Sequence, residues 1–156
     1  VVTIAIMAIA LLGVAYSLQF SARHSADPLW QTKTVELVQA YSEEILTKRY
    51  DELTPVGGVP PCTTCSAALQ ADGGETRQSG TNTFNDVDDY NGIDEQPLDS
   101  QGQLRPEYSG YRVAVAVSYA GTSLGLGSNE DAKLITITVT PPGQQPLPFS
   151  VYRVNF

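Results

Sequence analysis

VVTIAIMAIALLGVAYSLQFSA, Val1 to Ala22, contains no charged side chain and no proline, and carries polar side chains only at Thr3, Tyr16, Ser17, Gln19 and Ser21. A helix of that length, rising ~1.5 Å per residue, is about 33 Å long, enough to cross the hydrocarbon core of a bilayer. Such a run cannot remain alone in water. Lipid must cover it, or the matching helices of other subunits. A cleaved leader fits poorly, because its usual basic start is missing. Two readings remain: a plain transmembrane anchor, and an oligomerisation helix stored in the membrane and later packed into a fibre. Small residues at Ala5, Ala8, Ala10, Gly13 and Ala15 permit close helix–helix approach. Ala5, Ala8, Gly13 and Tyr16 are therefore the expected helix-packing positions.

All of the charge lies beyond this run, 17 acidic against 9 basic residues for a net charge of −8. That balance argues against nucleic acid and against adsorption to anionic lipid, both of which need clustered Lys and Arg. The chain accordingly divides into an apolar transmembrane or filament-core helix, 1–26, and a globular head, 27–156. Asp27-Pro28 is a good N-cap and first helical residue, or else a kink within one long helix. From Leu29 to Leu53 the apolar residues Val35, Val38, Tyr41 and Ile45 recur at helical spacing, with Leu37, Leu46, Tyr50 and Leu53 beside them. An amphipathic helix is expected over 27–53.

Thr54-Pro55-Val56-Gly57-Gly58 stops that helix, and 54–109 is a variable region rich in Gly, Pro, Ser, Thr, Asn and Asp. It is too long for an ordinary connection, so it is expected to be functional or to contact other subunits. The period then changes to two. Tyr111–Tyr119, Ala132–Thr140 (AKLITITVT) and Phe149–Phe156 (FSVYRVNF) alternate as strands, joined by Gly- and Pro-bearing connectors. The expected fold is α+β: one long N-terminal helix, an apolar half then an amphipathic half, packed on a C-terminal antiparallel sheet over 110–156.

Cys62-Thr63-Thr64-Cys65 holds both cysteines. A thioredoxin-like redox pair needs a helix start beside a βαβ pattern, and a zinc site needs four ligands, whereas His24 is distant. A local structural disulfide in an oxidising compartment is the expectation, pinning a turn. Asp86, Asp88, Asp89, Asn91, Asp94 and Glu95 crowd oxygen ligands into ten residues. Asp86, Asp88 and Asp94 are the candidate Ca²⁺ ligands, although Gly92 is one place out of register for an EF-hand loop. The competing reading is a solvated acidic loop. With one His, no G-x-S-x-G and no phosphate loop, no constellation points to an enzyme.

The charge-free start, the amphipathic continuation, the variable region and the C-terminal sheet together resemble the type IV pilins and pseudopilins. Val1 to Leu12 is similar to the stretch just after the family's Phe-Thr-Leu-Ile-Glu start, and the sequence is expected to begin just after that Glu. Phe84-Asn85-Asp86-Val87-Asp88-Asp89-Tyr90-Asn91-Gly92, with Gly110-Tyr111-Arg112-Val113, resembles the minor pilin D family of mannose-sensitive haemagglutinin pili. The resemblance implies a type IV pilin-like fold and a structural subunit acting in pilus assembly or adhesion. It implies other pilin subunits as partners, and an inner-membrane stage with a periplasmic head before export to the pilus of a Gram-negative bacterium. A type II secretion pseudopilin, or a membrane-tethered thiol–disulfide oxidoreductase using Cys62 and Cys65, are the alternatives.

Overall fold

The computed structural model describes residues 29–156. The chain divides into two compact units, Val1–Val35 and Glu36–Phe156. Helix α1 spans residues 29–46; in its opening turns Thr34 Oγ1 donates to Trp30 O at 2.7 Å. The second unit holds the remainder of α1 and the six strands found among the described residues. These are β1 (Arg77–Gln78), β2 (Thr81–Asn82), β3 (Asp94–Glu95), β4 (Arg112–Tyr119), β5 (Ala132–Thr140) and β6 (Leu147–Val154). β1 and β2 form a small hairpin, and the other four make one antiparallel sheet in the order β3-β4-β5-β6.

Alternation explains β4 and β5. Val113, Val115 and Val117 face Val139, Ile137 and Ile135 across the ladder. All six are buried, while the residues between them are half-buried or exposed. Such β-branched cross-strand pairs are the natural filling of one sheet face. On α1 the buried stripe is Leu37, Tyr41 and Ile45, at four-residue spacing, whereas Val35 and Leu53 are exposed. Helix and sheet therefore each present one apolar face to the core.

The expected fold is corrected in its helical half. The single long helix, apolar half then amphipathic half, packed on the sheet in type IV pilin-like fashion, is not what the structure describes. Its one described helix is 29–46, and no helix among the described residues is long and apolar enough to cross a membrane. The rest is mostly β, with a four-stranded sheet. The apolar run, with Ala5, Ala8, Gly13, Tyr16 and His24, lies outside the described residues. The early end of α1, seven residues before Leu53, has a clear physical cause. Arg49 N donates to Asn85 O at 3.3 Å, and Arg49 O accepts from Val87 N at 3.1 Å. A backbone committed to that parallel bridge with the 85–87 segment cannot also continue an i→i−4 ladder. Lys48 Nζ reinforces the exit by donating to Phe84 O at 2.7 Å.

Gly102 closes the Asp99–Gly102 turn, its N donating to Asp99 O at 3.0 Å, where that turn packs against the β1–β2 hairpin. Its φ is +79°, and a Cβ there would overlap Thr81 O. Both the left-handed conformation and the close approach require glycine. We expect Gly102→Ala to cost about 2 kcal/mol or more, seen as a fall of ~5 °C or more in Tm. An unchanged melting curve would contradict this account of the turn.

Candidate functional site

Lys133 is the second residue of β5 and lies in phase with Ile135, Ile137 and Val139, so the strand's alternation carries it into the interior. It is fully buried. A buried ammonium must be paired and hydrogen-bonded, and the surroundings supply this. Its Nζ lies 2.5 Å from Asp88 Oδ1 and 3.7 Å from Asp51 Oδ2, and donates to Tyr50 O at 2.5 Å. It also sits 4.2 Å from the centre of the Tyr50 ring and 5.4 Å from that of Tyr119, a favourable position for a cation over an aromatic face. Tyr119 is the cross-strand partner of Lys133.

The acidic segment supplies the anionic side. Asp86, Asp88 and Asp89 are all buried, and Asp88–Tyr90 forms a 3-10 turn. Asp86 Oδ1 accepts from Asp88 N at 2.7 Å, while Asp89 Oδ2 accepts from Asn85 N at 2.6 Å and from Asp86 N at 3.0 Å. Burial, then the neighbouring Asp89 and Asp88, pushes the Asp86 carboxyl up to about 7. Burial pushes Asp88 up to about 6 against the opposing pull of Lys133. Asp88 Oδ2 has no hydrogen-bond partner among the described residues. Asp94 is not brought to this cluster. It stands exposed on β3, with Oδ1 2.7 Å from the Arg112 guanidinium. Of the three candidate calcium ligands, the structure unites Asp86 and Asp88, and Lys133 already presents them with a cation.

Asp51 joins this cluster to the cysteines, which form a disulfide between Cys62 and Cys65. Asp51 is fully buried. Its Oδ2 accepts from Ser66 N at 2.7 Å, and its Oδ1 from Ser66 Oγ at 3.2 Å and Leu53 N at 3.0 Å. Tyr119 OH holds the same residue from the sheet, donating to Ser66 O at 2.7 Å. From the chain's other end, Asn155 grips the loop. Its Oδ1 accepts from Cys62 N at 3.1 Å, and its Nδ2 donates to Cys62 O at 2.9 Å. Asp51, Cys62 and Cys65 bring ligating atoms within 4.8 Å of one another, but the sulfurs are bonded to each other and the Asp51 oxygens are already engaged.

A second buried brace ties the variable region to α1. The Arg77 guanidinium, on β1, binds Glu44 through two nitrogens at 3.0 and 2.8 Å and also pairs with Glu95 of β3. It lies 4.9 Å from the centre of the Tyr41 ring. Tyr41 OH donates to Glu95 Oε1 at 2.7 Å, and Tyr90 OH to Glu44 Oε1 at 2.8 Å. Planar, multidentate and weakly hydrated, an arginine suits such a site.

Sequence reasoning singled out Cys62, Cys65, Asp86 and Asp88 but missed Lys133, Asp51, Arg77 and Asn155. Lys133 alone carried a local signal, a charge on the apolar phase of an alternating strand. In comparisons with known proteins the chain matches no family model, no curated protein and no solved structure.

Two measurements test the cluster. Lys133→Met leaves Asp88 and Asp51 buried without their cation and should cost about 3–5 kcal/mol, measured by urea denaturation. The second concerns pH. Asp86 and Asp88 bind protons more readily folded than unfolded, so between about pH 4 and 7 the folded state holds more protons. Their contribution to stability is therefore present at the acid end and falls as pH rises through that window. Asp86→Asn keeps an acceptor for Asp88 N and removes the charge. It should raise stability at pH 8 by about 1–3 kcal/mol while changing it little at pH 4; an equal effect at both pH values would refute the assignment.

Proposed function

We propose that this protein is a structural subunit of an extracellular filament, similar to a minor pilin. It enters the assembly through the uncharged run Val1–Ala22 and displays the 27–156 head, in pilus assembly or surface adhesion. The observation that carries the reading is the joining of a 22-residue charge-free run to an acidic head whose long loop region is cross-braced by polar contacts. The resemblance of the Phe84–Gly92 and Gly110–Val113 segments to the minor pilin D family supports it independently.

Physically, the two parts suit different tasks. An apolar run surrounded by lipid gains little hydrophobic energy on moving against the matching runs of other subunits, because lipid is already apolar. Close packing of small residues such as Ala5, Ala8 and Gly13 must supply the preference. The head needs the opposite character, a water-exposed surface with loops fixed firmly enough to present one shape. Arg77 and the Cys62–Cys65 disulfide fix the variable region in that manner. On this reading the partners are other subunits of the filament, and the inner membrane holds the chain before assembly.

Removal of residues 1–25 should yield a soluble, monomeric head, while the full chain associates in detergent-free buffer and disperses in detergent. Sedimentation velocity reads both states. A full chain that stays monomeric without detergent would overturn the proposal.

A further inference from the structure

The contact between Lys133 and Asp88 is not arranged as an ordinary ion pair. The lysine nitrogen stands 2.5 Å from Asp88 Oδ1, yet neither oxygen of that carboxyl has a hydrogen-bond partner among the described residues. The amine therefore lies against the carboxyl without the angle of a hydrogen bond. Asp86, Asp89 and Asp51, by contrast, each accept a backbone N–H. A buried carboxylate left without a donor is costly. As one reactant of a bond, it is in place.

A third group and a dry enclosure complete the arrangement. Asp51 Oδ2 lies 3.7 Å from the same nitrogen, so one amine is flanked by two carboxyls. The Tyr50 and Tyr119 rings cover it at 4.2 and 5.4 Å, and Lys133, Asp88 and Asp51 are all buried. Burial disfavours both charges of a pair, so a proton shared between them leaves an amine and a carboxylic acid. Those are the reactants of an amide. Holding them in contact is equivalent to an effective concentration of about 10⁵ M or more, and their product carries no buried charge.

We propose that Lys133 Nζ and Asp88 Cγ condense into an internal amide, a covalent modification that the folded chain makes on itself. The ion pair is the state in which the chain folds and from which the bond forms. One proton passes from the Lys133 ammonium to the Asp88 carboxylate. The nitrogen lone pair then attacks Asp88 Cγ and forms the C–N bond. Asp51 takes the proton that the nitrogen sheds and passes it to the hydroxyl on Cγ. The C–O bond breaks with its electron pair on that oxygen, and one water leaves. Nothing is oxidised or reduced. The N–H that remains on the amide keeps Tyr50 O, now 2.5 Å from the nitrogen, as its acceptor. Asp51 stays hydrogen-bonded to Ser66 and Leu53 once the ammonium has gone. The bond ties β5 to the acidic turn through a link that reductant does not open. This modification does not depend on the filament reading.

The test is the intact mass of the full chain, taken from non-ionic detergent, denatured and reduced. Reduction opens the disulfide, so the chain should weigh about 18 Da less than its sequence requires, the mass of one water. Tryptic digestion should leave the chain uncut after Lys133, and fragmentation should find that peptide joined to the one holding Asp88. Lys133→Arg keeps a cation for Asp88 and Asp51 but offers no amine nucleophile, and it should show its full mass. Asp51→Asn, sampled with time after cell-free synthesis, should lose the water about a hundredfold more slowly than the unaltered chain. A full mass in the unaltered chain would overturn the proposal, and that reading requires no variant to fold. So would a loss that persists in Lys133→Arg, or one that fragmentation places elsewhere, such as a succinimide at Asp72-Gly73. An Asp51→Asn chain that closes at the unaltered rate would overturn the proton transfer assigned to Asp51.

Discussion

A lysine ammonium in the core constrains everything around it. Lys133 has no route to water, so each group that compensates it must be delivered from a different part of the chain. Asp88 comes from the loop region, Asp51 and the Tyr50 carbonyl from just beyond α1, and the Tyr119 ring from β4. Leaving any of them out exposes a buried charge, which is far more costly than losing a neutral contact. The same residue fixes register. Sliding β5 by one position would turn Lys133 outward together with Ile135, Ile137 and Val139, and would bring Leu134, Thr136 and Thr138 inward. Apolar burial and charge compensation therefore demand the same alignment of β5.

The loop region obeys a second constraint of the same kind. A stretch of some fifty residues with few apolar side chains cannot be held by hydrophobic burial alone. Arg77 takes over that task, reaching Glu44 on the helix and Glu95 on β3 from one guanidinium. Its partners are themselves bonded: Tyr90 and Asn82 donate to Glu44, and Tyr41 donates to Glu95. Such a network works as a unit, because every donor and acceptor it desolvates is answered within it. The variable region is thereby fastened as a layer over α1 rather than left to trail from it.

How much of this could be read from the chain depends on the range of the interaction. β4 and β5 were legible because period-two alternation is local, and β5 spans the same Ala132–Thr140 stretch that the alternation marks. β3 was not, since two residues carry no period, and the contacts that hold them, Asp94 to Arg112 and Glu95 to Arg77, come from distant positions. The end of α1 was misplaced by Tyr50 and Leu53, which continue the helical spacing while the Arg49 backbone is already bridged to the 85–87 segment. The acidic cluster was legible as a demand for a cation. The lysine 45 positions from Asp88 was visible only as an oddity in the strand. Asn155, 93 residues from Cys62, gave no signal at all.

The two halves of the site share one carboxylate. Asp51 faces Lys133 on one side and carries the Ser66 backbone on the other, so the cysteine loop is suspended from the charged cluster rather than from the exposed surface. Lys133 divides its charge between Asp51 and Asp88. When Asp88 is ionised, it competes for the ammonium; when it is protonated, Asp51 has the nearest cation largely to itself. Burial has moved the Asp88 carboxyl up to about 6 against the pull of that same ammonium. Lys133 is thereby the electrostatic link between the acidic turn and the cysteine loop, with Asp88 on one side of its ammonium and Asp51 on the other.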